Sequence, residues 1–189
     1  MADSVQNRSR RGFASVGDML RSLGLVVAAV AVLMLITLRP QGDAVRTVDY
    51  RSVLQEARLG APYALADPVG LPAGWRPTSV YFDPPVRTGA AGVTDWHIGF
   101  VTPSDRYAAV EQTSGPAARM LGQVLDDPAP APTAAAGASG WQRWTDRASD
   151  RRALVRTTGA VTVVIDGTAG WTELERLASS LRLQAPLRP

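Results

Sequence analysis

The stretch that decides the fold is residues 96–113, which read WHIGFVTPSDRYAAVEQT. Trp96, Ile98 and Phe100 alternate with their neighbours, which is the side-chain period of a half-buried strand. The turn signal TPSD follows, and the strand pattern returns at residues 107–113. Because the link is too short for a crossover, the two strands are predicted to form an antiparallel hairpin.

Further strands are predicted on either side of this hairpin, at residues 78–82, 141–145, 153–158 and 160–166. Helices are predicted at residues 48–59, 116–125 and 172–183. Thr172 and Glu175 have the spacing of a capping box at the start of the last helix. The order of elements predicts one α+β domain, with a mainly antiparallel sheet covered by helices on one face.

One segment of this domain lacks core-forming residues. Residues 126–140 read DDPAPAPTAAAGASG and contain no large apolar side chain. Such a segment buries too little apolar surface to offset the entropy lost on ordering, so it is predicted to be a mobile surface loop.

An apolar run precedes the domain. Ser22–Leu38 is 17 residues long and carries no charge. As a helix it covers about 26 Å, against roughly 30 Å of bilayer hydrocarbon, and Arg21 and Arg39 can snorkel to make up the difference. No small-x-small cleavage site follows, because residues 37–41 read TLRPQ. We therefore expect an uncleaved signal anchor rather than a signal peptide.

The arginines around this run predict its orientation. Arg8, Arg10 and Arg11 lie before it with Arg21 at its edge, and cytoplasmic flanks carry such an excess of positive charge. The chain is thus expected to consist of a short basic cytoplasmic head, a transmembrane signal anchor, a juxtamembrane linker and an extracytoplasmic α+β domain, at residues 1–21, 22–38, 39–47 and 48–189 respectively.

Composition excludes several kinds of site. The chain has 20 basic residues, all arginine, 17 acidic residues, one histidine and no cysteine. It therefore has no disulfide, thiolate nucleophile or two-histidine metal site. From residue 40 onward 15 arginines balance 15 acidic residues, which disfavours nucleic-acid binding. No phosphate-binding glycine motif is present, and we expect no metal and no cofactor.

Five motifs follow one another along the chain, namely VDYR (residues 48–51), LPAGWR (71–76), WHIGF (96–100), YAAVEQ (107–112) and the strand-to-helix segment 161–181. In this order they resemble the motifs of an actinobacterial family of single-span membrane proteins, domain of unknown function 4245. The family has no assigned activity, so the resemblance implies a membrane protein and supplies no catalytic residues.

Aromatic residues supply the candidate binding surface. The residues proposed for a ligand or partner surface are Trp75, Trp96, His97, Trp141 and Trp144. Tryptophans of a domain this size also serve its core, and that alternative stays open. We expect a membrane-anchored, non-enzymatic envelope domain that binds another envelope protein or a small ligand. Its partners would be the bilayer, through residues 22–38, and an envelope membrane protein; the sequence leaves the oligomeric state open.

The alternative function is an extracytoplasmic hydrolase that uses the single histidine. His97 would need an acidic partner and a serine or threonine hydroxyl within hydrogen-bond reach. The acidic residues considered for this role are Asp95, Asp105 and Glu111. A third interpretation, a structural partner in a larger membrane complex, differs from the first only in lacking a binding groove.

Overall fold

The structure is a computed structural model that describes residues 10–37, 46–84, 92–131 and 140–187. The chain divides into two compact units, Met1–Asp43 and Ala44–Pro189. Four predicted features lie partly outside the described residues, namely the basic head, the last residue of the signal anchor, the juxtamembrane linker and the Pro/Ala loop.

The secondary structure is defined over these residues. In chain order the elements are α1 (Arg10–Thr37), α2 (Tyr50–Gly60), β1 (Leu65–Pro68), β2 (Arg76–Asp83), β3 (Asp95–Val101), β4 (Tyr107–Thr113), α3 (Ala117–Val124), β5 (Pro128–Pro130), β6 (Gln142–Asp146), β7 (Arg152–Thr158), β8 (Val161–Gly167), α4 (Trp171–Ser180) and β9 (Leu181–Gln184).

The first unit contains α1, a helix of 28 residues. Its large apolar side chains from Leu20 to Met34 are all more than half exposed. Within the part of the chain that the structure describes, no helix meets both the length and the hydropathy needed to cross a bilayer.

The second unit is built on a seven-stranded sheet in the order β2-β3-β4-β8-β7-β6-β5. Every neighbouring pair in this sheet is antiparallel. The hairpin predicted from residues 96–113 is its β3–β4 pair, in which Ile98 lies opposite Val110 and His97 opposite Glu111. The prediction of an α+β fold with a mainly antiparallel sheet is therefore confirmed.

The helices cover both faces of this sheet, so the prediction of helices on one face is wrong. On one face, called here the apolar face, Leu54 of α2 and Leu177 of α4 pack with Ile165 of β8. On the other, called the polar face, Met120 of α3 packs against Val164. The reason is that β8 is a central strand, and its apolar run VTVVI offers buried side chains on both faces.

The last predicted helix is shorter than expected. It ends at Ser180, and Leu181–Gln184 forms β9, which pairs with β1 in a separate two-stranded sheet. The predicted capping box is also wrong, because the helix starts at Trp171 and its N-cap is Gly170, without a side-chain hydrogen bond. Thr172 thus lies inside the first turn, where it is too late in the helix to serve as its cap.

Part of the predicted loop 126–140 is ordered. Pro128–Pro130 forms the edge strand β5, and Ala129 is only 6% exposed. The carboxylate of Asp146 accepts the backbone N–H groups of Asp126 and Asp127, which fixes the approach to this strand. Proline is tolerated because an edge strand leaves one side of its backbone unpaired. Residues 132–139 of the predicted loop lie outside the described residues.

Candidate functional site

The five residues predicted to form a binding surface do not share one surface. Trp96 is fully buried on the apolar face, where its Nε1 donates a hydrogen bond to the carbonyl oxygen of Ala66 at 3.0 Å. Trp75 is half-buried and meets Phe100 edge-on, with 6.0 Å between ring centroids. Trp144 packs with the α3 cluster on the polar face. Trp75, Trp96 and Trp141 therefore belong to the core on the apolar face, whereas Trp144 and His97 lie on the polar face.

His97 is the centre of a hydrogen-bonded chain on the polar face. Its Nε2 lies 2.8 Å from Ser79 Oγ, and its Nδ1 lies 2.5 Å from Glu111 Oε1. Both ring nitrogens are thus engaged. A carboxylate at Glu111 can only accept, so it pairs with the tautomer of His97 that donates from Nδ1 and leaves Nε2 to accept from Ser79 Oγ. The side chains of His97 and Glu111 are 7% and 9% exposed, so the pair is almost fully buried.

The sheet register explains why these side chains meet. His97 lies opposite Tyr81 on β2 and opposite Glu111 on β4, so all three point to the same face. The Tyr81 ring stacks on the imidazole, with 4.4 Å between centroids and 11° between planes. The histidine is therefore held from both strands and covered by an aromatic ring.

A glycine leaves room for this chain of hydrogen bonds. A Cβ on Gly99 would overlap Ser79 Oγ and would lie 2.9 Å from Tyr107 Oη and 3.2 Å from His97 Nε2. Burial, followed by the neighbouring Asp166 and Glu111 carboxylates, raises the pKa of Tyr107 to about 12. Tyr107 therefore stays protonated beside Ser79 over the physiological pH range.

A second buried carboxylate lies on the same face. Asp166 is 1% exposed and pairs with Arg151, whose guanidinium also lies 5.9 Å from the Tyr107 ring centroid. Burial, reinforced by the Glu111 carboxylate and opposed by Arg151, raises the pKa of Asp166 to about 7. The polar face thus holds two buried acids whose charges disfavour one another.

A pocket of about 280 Å³ adjoins this cluster where α3 meets the strands. Its lining includes Tyr81, Glu111 and Arg151 from the polar face and Gln123 and Val124 from α3. Ser79 and His97 are not among the lining residues. The hydroxyl and the imidazole therefore lie beside this pocket rather than at its surface.

Trp141 lines a different pocket, on the side of the sheet covered by α4. This arginine-lined groove has a volume of about 240 Å³ and is formed by Trp141, Arg143, Leu154, Arg156, Glu175, Ala178, Ser179, Leu181 and Arg182. Its apolar surface comes from the indole and the aliphatic side chains, whereas its polar surface is dominated by three guanidinium groups. Of the five predicted surface residues, only Trp141 lies at this groove.

Two of the three arginines at the groove lack an acidic partner. Arg143 pairs with Glu175, but no carboxylate pairs with Arg156 or Arg182 within the described ranges. The guanidinium of Arg156 instead lies 4.4 Å from the centroid of the Trp141 ring. The groove therefore combines an aromatic wall with a net positive charge.

Sequence reasoning found parts of both sites. It named His97 and included Glu111 among its acidic partners, but it did not identify Ser79 or the groove arginines. The pairing of His97 with Glu111 can be predicted from the sequence, because the two residues lie at matching distances on either side of the hairpin turn. The groove has no comparable signal, because it forms where β6, β7, α4 and β9 meet.

Metal binding finds no support in the described residues, where no three histidine or acidic side chains come together in a way that would hold an ion. The pair Asp126 and Asp127 uses its backbone N–H groups to bind the Asp146 carboxylate.

Comparison with known proteins gives the family. No curated protein sequence matches the chain. The family model described as "Protein of unknown function (DUF4245)" matches residues 11–181, which includes α1 and all but the final residues of the second unit. Since this match covers most of the chain, the protein belongs to the DUF4245 family.

Proposed function

We propose that this protein is a membrane-anchored, extracytoplasmic and non-enzymatic domain of the cell envelope that binds a ligand in the arginine-lined groove. The observation that carries the binding role is the groove itself, which places an indole, aliphatic side chains and two unpaired guanidinium groups around one cavity. Binding sites of proteins commonly combine apolar walls with a few polar groups in this way.

The anchor is supported by the composition and exposure of α1. Ser22–Leu38 carries no charge, and the exposed apolar side chains of the helix include Leu23, Leu25, Val26 and Val27, which point in different directions around it. An amphipathic surface helix would confine such residues to one stripe. A bilayer solvates apolar side chains on every side of a helix, and an arginine at the edge of the apolar run, such as Arg21, can extend its guanidinium toward the headgroups.

The orientation proposal is tested by reporter fusions after Pro189. A reporter active only outside the cytoplasm should be active, and a reporter fluorescent only inside it should be dark. The matched control deletes residues 22–38, which should retain both reporters in the cytoplasm. A mature N-terminus near residue 40, or a fluorescent cytoplasmic fusion of the intact chain, would contradict the anchor.

The binding role is tested by photo-crosslinking in the cells that make the protein. A benzophenone amino acid is placed at Ser179, which is exposed and lines the groove, or at Thr172, which is exposed on the same helix outside it. We expect an adduct, detected by mass spectrometry, from position 179 alone. Equal labelling from both positions, or none from position 179, would refute a ligand in the groove.

A second candidate function is favoured by one specific observation, the chain from Ser79 to His97 to Glu111. These residues occur in the order nucleophile, base and orienting carboxylate that serine hydrolases use. In that role Ser79 Oγ would attack an ester carbonyl while its proton passes to His97 Nε2. The proton would then go to the leaving alcohol, and water would release the acyl group from the serine.

The binding function remains the better supported of the two. Tyr81 stacks on His97, and neither Ser79 nor His97 lines the adjacent pocket, so the hydroxyl does not open into the cavity that could hold a substrate. Hydrolysis of an ester also requires hydrogen-bond donors that stabilise the negative charge developing on the carbonyl oxygen.

The hydrolase candidate is tested with a fluorophosphonate probe, which phosphonylates an activated serine. A hydrolase would be labelled on Ser79, and the label would be lost in Ser79→Ala and His97→Gln but kept in Ser104→Ala, a change of an exposed serine. An unlabelled Ser79 in the folded, full-length chain would eliminate this candidate and leave the binding function in place.

A further inference from the structure

The arginine-lined groove has a charge pattern that indicates the chemistry of its ligand, an inference that rests on the binding role proposed above. Three guanidinium groups and one carboxylate line the groove, which gives a net charge of +2 by counting Arg143, Arg156 and Arg182 against Glu175. Glu175 is already paired with Arg143. The two remaining cations are therefore the ones available to an anionic ligand.

Arg156 is held in place before any ligand binds. Its guanidinium lies over the Trp141 ring, and Trp141 itself is only 5% exposed. A guanidinium that stacks on an aromatic face still presents its N–H groups at the edge of its plane. Because the arginine is already ordered, less conformational entropy is lost when it binds an anion.

Arg182 supplies the second cation from β9. Its side chain is exposed, and its Nη1 donates to the carbonyl oxygens of Ser179 and Leu181. A guanidinium has five N–H donors, so these two hydrogen bonds leave others free for a ligand. The arginine is thereby kept near the groove without being neutralised.

Apart from Ser179, the remaining lining is apolar, which distinguishes the groove from a site for a simple anion. Leu181 is partly exposed there, and Trp141, Ala178 and Leu154 form a floor with 5%, 7% and 1% of their surfaces exposed, so a small apolar surface lies next to the cations. Inorganic phosphate gains nothing from such a surface, whereas a ligand with attached hydrocarbon buries apolar area there.

Size limits how much of that ligand the groove encloses. A volume of about 240 Å³ is smaller than the roughly 300–1,000 Å³ of sites that take a drug-sized molecule. The groove therefore fits a phosphate group and the first few carbon atoms attached to it, and longer chains would extend beyond it.

We infer that the groove binds the phosphate headgroup region of an anionic phospholipid. Arg156 and Arg182 bind the phosphate, for which guanidinium groups have matching geometry. Leu181 and the exposed edge of Trp141 contact the glycerol and the adjoining acyl carbons. A lipid is favoured over a free phosphorylated metabolite because the charge and the apolar surface lie within the same small groove.

The test uses the full chain in neutral maltoside micelles containing equal amounts of phosphatidylglycerol and phosphatidylcholine with distinguishable masses. Native mass spectrometry then counts which lipid stays bound. We expect about a tenfold preference for phosphatidylglycerol. The preference should fall to less than about twofold in Arg182→Gln and in Arg156→Gln combined with Arg182→Gln. Arg147→Gln changes an exposed arginine outside the groove and should leave the preference intact.

Three results would overturn the lipid assignment. The first is equal retention of both lipids by the unmodified chain. The second is an unchanged preference in the double variant, which would place the lipid elsewhere, such as along α1. The third is loss of the bound lipid in an excess of inorganic phosphate, which would assign the groove to free anions. Arg182 is exposed, so its single variant separates lost binding from lost folding.

Failure of the lipid assignment can be distinguished from failure of the proposed binding function. A protein adduct or a non-lipid adduct at position 179, together with no lipid preference, would keep the binding role and reject the lipid. The micelle experiment also gives its answer whether or not residues 22–38 span a bilayer in the cell.

Discussion

The two faces of the seven-stranded sheet use alternate residues of the same strands but are stabilised in different ways. On the apolar face, Trp96 and Phe100 of β3 are at most 2% exposed and pack in the core with α2 and α4. On the polar face, His97 of the same strand bonds to Ser79 and Glu111. Neighbouring residues of one strand therefore contribute to two kinds of interior. The stability of the apolar face depends on close packing, whereas that of the polar face depends on each buried polar group having a hydrogen-bond partner.

The largest effect is expected on the apolar face. Leu177 of α4 is fully buried, so Leu177→Ala should lower the free energy of unfolding by about 2–5 kcal/mol, through lost burial and the cavity left behind. Urea unfolding of the full chain in neutral detergent, followed by tryptophan fluorescence, measures this. The control is Leu183→Ala, a change of a leucine that is 66% exposed, which should cost less than about 0.5 kcal/mol. Equal losses in the two variants would show that α4 does not contribute to the core.

A smaller effect is expected on the polar face. Glu111→Ala removes the acceptor from His97 Nδ1 and leaves that buried N–H unpaired, which should cost about 1–3 kcal/mol in the same unfolding assay. Glu111→Gln keeps an acceptor and should cost less. Glu56→Ala changes an exposed glutamate and serves as the control. If Glu111→Ala proved harmless, the network would contribute nothing to the stability of this face.

The polar face should also give the domain a pH-dependent stability, through its buried Asp166. The pKa of Asp166 is raised from 3.8 to about 7, so between these values the folded state binds more protons than the unfolded state. Its contribution to stability is present below pH 4 and is lost as the pH rises through about 7. Unfolding measured from pH 4 to 8 should show this loss, and Asp166→Asn should flatten it. A variant with the same slope as the unmodified chain would assign the slope to other groups.

The smallest effect on stability is expected from a surface ion pair that belongs neither to the apolar core nor to the hydrogen-bonded network of the polar face. Arg76 bonds to Asp105 at 2.6 Å, but the Asp105 side chain is 81% exposed. Solvent screening limits such pairs to about 0–1 kcal/mol, so Asp105→Asn should barely change the unfolding midpoint. Asparagine also tolerates the positive φ of 52° at this position. A loss comparable to that of Glu111→Ala would show that this turn is more important than its exposure indicates.

The local elements of the domain were accessible to sequence reasoning because each has its own periodicity. The alternation in β3 and its short turn predicted the central hairpin, and the apolar spacing of Leu174 and Leu177 predicted the face of α4 that is buried. The end of α4 was missed, although LRLQ at residues 181–184 already alternates with the period of a strand. Pairing with β1, more than 100 residues earlier in the chain, decides that those residues leave the helix.

The candidate sites were less accessible, since they depend on which residues of different elements face each other. Ser79 reaches His97 because a register shift between Pro77 and Ser79 sets how β2 aligns with β3, whereas Glu111 lies opposite His97 within the β3–β4 hairpin. The guanidinium groups of Arg143, Arg156 and Arg182 meet only because β6, β7 and β9 converge beside α4. Neither arrangement has a fixed spacing along the chain.

The fold class, the family resemblance, the antiparallel hairpin and the absence of cysteine chemistry all follow from composition or short-range order. Three features are visible only in the folded domain: the face of the sheet that α3 covers, the edge strand at Pro128–Pro130, and the side chains that surround His97 and Trp141. The physical reason is that hydrophobic periodicity specifies which side of an element is buried, whereas strand register and long-range pairing specify what that side is buried against.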